Sequence, residues 1–132
     1  MADAVTSQTL QDGDKSLVMK FTNISDGSGE AAVKKVDVSA LQTQSGSGAS
    51  CTGVTIDCVW YECNGLSVDL MWDASTDVIA WTLSGYGYFD FRSAGPLVNN
   101  ASSPTGDIMF TTTGAGSGDR YAIMLKMTKS YE

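Results

Sequence analysis

The stretch VTIDCVWYECNGLSVDLMW, Val54 to Trp72, alternates apolar and polar residues on both sides of a central Asn64-Gly65. Val54, Ile56, Cys58 and Trp60 alternate with Thr55, Asp57, Val59 and Tyr61. Beyond the Asn-Gly pair, Leu66, Val68, Leu70 and Trp72 alternate with Ser67, Asp69 and Met71. A period of two marks a half-buried strand, because successive strand side chains point to opposite faces. Asn-Gly between two such runs is a strong hairpin signal, since a type I′ turn needs positive φ at both central residues. The stretch therefore predicts two strands joined by a hairpin at Asn64-Gly65. Trp60, Trp72 and Trp81 stand beside aliphatic residues and read as core.

Outward from this stretch the pattern repeats. Leu17, Met19 and Phe21 share a face of a strand over Ser16 to Asn23, and Ser25 to Glu30 carries turn chemistry. Ala31 to Leu41 resumes a strand-like pattern, and Gln42 to Ser50 is a loop rich in Gly and Ser. Downstream, Asp73 to Asp77 is a turn. Val78 to Leu83 is a strand that Ser84-Gly85 breaks or bulges. Tyr86 to Phe91 follows, with Tyr86, Tyr88 and Asp90 opposite Gly87, Phe89 and Phe91. Ser93 to Thr105 is a long loop, Asp107 to Thr113 a strand, Gly114 to Asp119 a turn, and Tyr121 to Thr128 the closing strand. About eight short strands with turns between them, and no helical periodicity over three turns, predict an all-β antiparallel sandwich of jelly-roll type. Residues 16–132 read as that domain and residues 1–15 as a polar N-terminal arm.

Composition narrows the function classes. The chain has 132 residues, enough for one core without disulfides or metals. Its formal net charge is -7, from 8 Lys plus Arg against 15 Asp plus Glu. Nucleic-acid binding rests on phosphate neutralisation by basic residues, so neither nucleic acid nor an anionic membrane is the expected partner. No run approaches the roughly 20 apolar residues of a membrane-spanning helix. The first fourteen residues have no apolar core of a secretory signal, which predicts a chain made in a cytoplasm.

Catalytic apparatus is hard to assemble from these residues. There is no histidine, which removes Ser-His-Asp and Cys-His arrangements and most zinc sites. Cys51, Cys58 and Cys63 are an odd set without CxxC spacing, and read as reduced thiols packed as small apolar groups. Asp57, Glu62, Asp69, Asp73 and Asp77 read as acids on wet strand faces and in a turn. The Asp73 to Asp77 run lacks the spacing of a calcium loop. Gly114 to Gly118 lacks the ending of a phosphate loop. The expectation is a non-enzymatic protein without cofactor or metal. Tyr86 and Tyr88, together on one strand face, suit an interface or a sugar-stacking platform. Val5 and Leu10 are spaced like anchors in an extended arm, so the candidate interface residues are Val5, Leu10, Tyr86 and Tyr88.

The segment VTSQTLQDGDKSLVMKFTNISDGSGEAAVKKVDVSAL, Val5 to Leu41, resembles the opening of small virion proteins of tailed bacteriophages. The match centres on Val18-Met19-Lys20-Phe21-Thr22-Asn23, the Asp26-Gly27 turn and Lys34 to Leu41. Several such proteins resemble capsid decoration, or cement, proteins. The resemblance implies a homotrimer on the capsid exterior that contacts the major capsid protein and stabilises the head. A tail or head–tail connector role is the alternative within virions. A carbohydrate-binding β-sandwich using Tyr86, Tyr88 or a tryptophan is the alternative from another class.

Overall fold

The computed structural model describes residues 4–27, 29–93, 95–101 and 104–131, with the side chains of residues 4, 5 and 104 outside that description. Seven strands are present among the described residues: β1 (Ala4–Asp12), β2 (Ser16–Asp26), β3 (Val33–Val36), β4 (Gly53–Ala74), β5 (Val78–Asp90), β6 (Pro104–Thr113) and β7 (Ser117–Ser130). Two short 3-10 turns, Val38–Ala40 and Phe91–Ser93, complete the regular structure. All strand pairs are antiparallel, in the order β1-β2-β7-β4-β6-β3, with β5 alongside β4.

β4 decides the architecture. It runs for 22 residues straight through Asn64-Gly65. Its first arm pairs with β7 from Gly53 to Asn64, and its second pairs with β6 from Ser67 to Ala74. β5 follows β4 along the other edge, Asp90 to Tyr86 against the first arm and Ser84 to Val78 against the second. The result is two packed layers sharing a bent ribbon. One is β1-β2-β7 with the first arm of β4 and the last of β5. The other is β3-β6 with the second arm of β4 and the first of β5. Apart from β1, this is the strand order of a jelly roll, which buries two sheet faces against each other.

The expected hairpin at Asn64-Gly65 is therefore corrected to a corner. The two runs it joins lie in different layers and do not pair with each other. Residues 63–66 of β4 stand opposite the single residue Gly85 of β5, a wide bulge that turns both strands together. Gly65 has φ 83° and Gly85 φ 72°, so both corner residues use left-handed backbone that glycine takes without strain. The true hairpin lies one turn later, where Trp72 faces Val78 and the Ala74 amide donates to Asp77 Oδ1 at 3.1 Å. The eight predicted segments are present, four of them fused in pairs into β4 and β5.

A second correction follows from a smaller bulge. Ile56 pairs with Met127 but Cys58 with Lys126, so Asp57 is an extra residue and the alternation changes phase there. Val54 and Ile56 face the core, whereas Trp60 is thrown to the outside and Val59 and Cys63 turn inward. Of the three tryptophans, Trp72 is core at 1% exposure, while Trp60 and Trp81 are only half-buried.

The core lies between the layers. Phe110 of β6 meets Phe21 of β2 edge-on at 5.1 Å and Tyr121 of β7 at 5.8 Å, tying the layers through non-paired strands. Leu17, Ile56, Val68, Leu70, Ile108, Ile123, Leu125 and Met127 fill the rest. Two lysines are buried with partners. Lys35, a bulge residue of β3, points inward to Glu30 at 2.6 Å, and Glu30 also accepts from the Tyr121 hydroxyl at 2.5 Å. Lys129 donates to Asp12 Oδ1 at 2.6 Å and to the carbonyls of Gly13 and Gln42, both at 2.9 Å.

Residues 1–15, expected as an arm, supply β1, which pairs with β2 from Ala4↔Ile24 to Asp12↔Leu17. Its other edge is unpaired among the described residues. No helix among the described residues is long and apolar enough to cross a membrane.

Candidate functional site

The outer face of the β1-containing layer carries two aligned rows of side chains across five strands. One row runs Gln8, Lys20, Met124, Trp60, Tyr88, each paired in register with the next. The adjacent row runs Thr6, Thr22, Ala122, Glu62, Tyr86. Strand alternation puts these residues on one face, and the bulge at Asp57 brings Trp60 into line with Tyr88. Trp60 and Tyr88 stack at 5.0 Å between ring centroids with 24° between planes. Tyr86 stands beside them, 84% exposed, and Tyr88 is 46% exposed.

Two hollows lie end to end on this face. One, of about 290 Å³, is bounded by Lys20, Trp60, Tyr61, Glu62, Ala122 and Met124. The other, of about 320 Å³, is bounded by Thr6, Thr22, Ile24, Glu62, Arg120 and Ala122. They share Glu62 and Ala122, so the small alanine side chain forms the floor between taller neighbours. Lys20, Glu62 and Arg120 take part in no ion pair among the described residues, so their polar ends are free for a ligand. An extended aromatic surface bordered by a few charged hydrogen-bonding groups suits a ligand with alternating apolar and hydroxyl-bearing faces.

The far edge of the face is held by local electrostatics. Arg92 binds Asp90 through two side-chain contacts of 2.9 and 2.8 Å, and holds that carboxyl well below the usual carboxylate range. The Tyr88 hydroxyl donates to Cys58 Sγ at 3.8 Å, and this contact, with burial and nearby Asp90, raises the phenol above its ordinary value. The Tyr88 ring is therefore neutral across the physiological range. Cys51, Cys58 and Cys63 are free and buried, and burial pushes the Cys63 thiol up to about 11. Among the described residues no three His, Cys, Asp or Glu side chains gather into a metal-binding group.

Of the residues singled out from sequence, Tyr86 and Tyr88 fall on this face. Leu10 sits on β1 at 49% exposure, away from the aromatic rows. The side chain of Val5 lies outside the described residues; its backbone pairs with Asn23. From sequence Trp60 reads as core, although a tryptophan is one stacking face of the carbohydrate-binding alternative, and Glu62 reads as an acid on a wet strand face; Lys20 and Arg120 are assigned to no site. Strand register alone brings these residues together, and the phase change at Asp57 hides Trp60 among apparent core residues.

No family model matches the chain, and no curated protein matches it. Solved structures do. A variant of CBM29-2, from work on ligand recognition by family 29 carbohydrate binding modules, is similar with a TM-score of 0.51 at 13% identity, covering 95% of this chain and 91% of that one. A second CBM29-2 variant, complexed with mannohexaose, gives a TM-score of 0.52 at 14% identity, with 98% and 93% covered. At such identity the likeness establishes the β-sandwich fold.

Proposed function

We propose that this chain is a non-enzymatic carbohydrate-binding domain whose ligand lies across the outer face, on the Trp60–Tyr88 stack. The observation that carries the reading is the in-register row Gln8, Lys20, Met124, Trp60, Tyr88 with its parallel neighbour. A pyranose ring has an apolar face of C–H bonds, which packs on the electron-rich face of an aromatic ring. Its hydroxyls then meet Lys20, Glu62, Arg120 and the threonines beside the rings. The similar fold of modules that bind sugars, one of them seen with mannohexaose, supports the choice of ligand class. Titration calorimetry with mannohexaose tests it. Tyr88→Ala is expected to weaken binding at least about tenfold, a hot-spot loss of ~1.4 kcal/mol. Binding unchanged by the substitution overturns the assignment of the face.

A second reading is a virion structural protein that braces a capsid as a homotrimer. One observation favours it: the Val5 to Leu41 segment, which resembles phage virion proteins, supplies both terminal strands of the sheet order, β1 and β3. Such edges can accept a strand from a neighbour. The free backbone edge of β1 and the Trp60–Tyr88 stack lie at opposite ends of the five-strand face, so a Tyr88→Ala variant separates the two readings. Co-sedimentation with capsids that survives Tyr88→Ala supports the second, and the absence of co-sedimentation removes it.

A further inference from the structure

The β4–β5 ribbon carries aromatic pairs at consecutive positions, Trp60-Tyr61 and Tyr88-Phe89. Neighbouring strand residues point to opposite faces, so a second set of rings faces inward. Tyr61 stacks on Phe89 at 5.9 Å and 12°, and Trp81 meets Phe89 edge-on at 5.4 Å. Phe89 lies on the inward face opposite Val59, yet it is 41% exposed, because β5 pairs only with β4 among the described residues and so forms an edge. Tyr61 lies across Gly87, where an added Cβ would stand 3.0 Å from the Tyr61 hydroxyl oxygen. Along the edge of β5 these rings border an open groove of about 430 Å³ lined by Tyr61, Ile79, Trp81, Thr82, Ser84 and Phe89.

We propose that this groove is a second carbohydrate site, taking a neutral hexopyranose; the proposal rests on the carbohydrate-binding reading of the outer face. Three features set the ligand class. The lining holds no charged residue, although the chain carries a net charge of -7, so the ligand is uncharged. Three hydroxyls, of Tyr61, Thr82 and Ser84, border the rings and make no side-chain hydrogen bond among the described residues, so they are free to meet sugar hydroxyls. The volume is in the range of small-ligand sites, roughly 300–1,000 Å³. A sugar ring laid in the groove stacks on Phe89 or Trp81 while its hydroxyls reach Tyr61, Thr82 and Ser84. The outer face, bordered by Lys20, Glu62 and Arg120, differs in carrying charge, so the two sites rank ligands differently.

Tryptophan indole N–H signals in nitrogen-15 NMR distinguish the sites. Trp60 reports the outer face, Trp81 the groove, and Trp72, at 1% exposure, the core. Titration with mannotriose is expected to shift Trp60 and Trp81 with separate affinities and to leave Trp72 in place. Phe89→Leu should weaken the Trp81 response at least tenfold and spare that of Trp60, and Tyr88→Ala should do the reverse. Ser84→Trp, at the exposed border of the groove, should block it without entering the core if the leucine variant fails to fold. A Trp60 shift without a Trp81 shift overturns the groove site and leaves the outer face standing. A Trp81 shift alone keeps the groove site and removes the outer face. No shift with mannotriose or cellotriose overturns both. A Trp81 signal that moves with protein concentration in the absence of sugar assigns the groove to a second copy of the chain and overturns the proposal.

Discussion

The Trp60 ring on β4 lies against the Tyr88 ring on β5 at 5.0 Å and 24°, on the outer face of the sandwich. The two residues are directly opposite in register, where cross-strand pairs interact most strongly. Each ring therefore fixes the other before any ligand arrives. A double-mutant cycle over Trp60→Ala and Tyr88→Ala, read by urea unfolding, should give a favourable coupling. Because both side chains lie outside the core, each single variant should keep the native circular dichroism spectrum.

Lys35 and Glu30 form an ion pair with side chains 2% and 4% exposed. Breaking such a pair by removing one partner strands a charge out of water and costs about 3–5 kcal/mol. Lys35→Met should destabilise the fold by that order, measured as a shift in urea midpoint. The Tyr121 hydroxyl stays on Glu30 in that variant, so Tyr121→Phe combined with Lys35→Met should not be additive.

Lys129 ties the end of β1 to β7 through Asp12 and Gly13. Burial works to lower the Lys129 pKa, but the contacts with Asp12 and Tyr131 outweigh it, leaving the pKa above its ordinary 10.5. A raised pKa means that the folded state holds the proton more tightly. The stabilisation is fully present below about pH 10.5 and fades as the pH rises through the folded value. The stability difference between native protein and Lys129→Met should therefore be constant from pH 7 to 10 and shrink above that.

Gly65 marks the corner of β4. An added Cβ would fall 2.3 Å from Asp119 Oδ1, and its φ is 83°. Asp119 is itself held by the Gly116 amide at 2.8 Å, which limits its retreat. Gly65→Ala should cost at least ~1–2 kcal/mol from backbone strain alone. Gly114, with φ 76° and nothing near its Cβ position, should suffer only the strain. Comparing the two alanine variants by thermal melting separates the corner clash from the conformational cost.

The strands were legible because alternation survives wherever a strand keeps one phase. Leu66, Val68, Leu70 and Trp72 are all buried, as are Tyr121, Ile123, Leu125 and Met127. Reading failed where the backbone departs from regularity. Asn64-Gly65 signals positive φ, and Gly65 has it, but a corner between layers and a hairpin use the same glycine freedom. Asp57 is an ordinary residue whose extra place in the strand shows only in the pairing with β7. Lys35 looks like a surface base in Lys34-Lys35 because its partner Glu30 is a turn residue on the far side of Val33. The site was half visible. Tyr86 and Tyr88 share a face by counting along one strand, but Lys20, Met124 and Trp60 join them only through register across β2, β7 and β4, which no single segment encodes.

Chemical-shift mapping of bound mannohexaose on the backbone amides tests the central claim most directly. The largest shifts are predicted along the two rows, at Lys20, Thr22, Trp60, Glu62, Tyr86, Tyr88, Ala122 and Met124, with β3 and β6 unaffected. Shifts confined to β3, β6 or the loops, or no shift at millimolar sugar, would contradict the account.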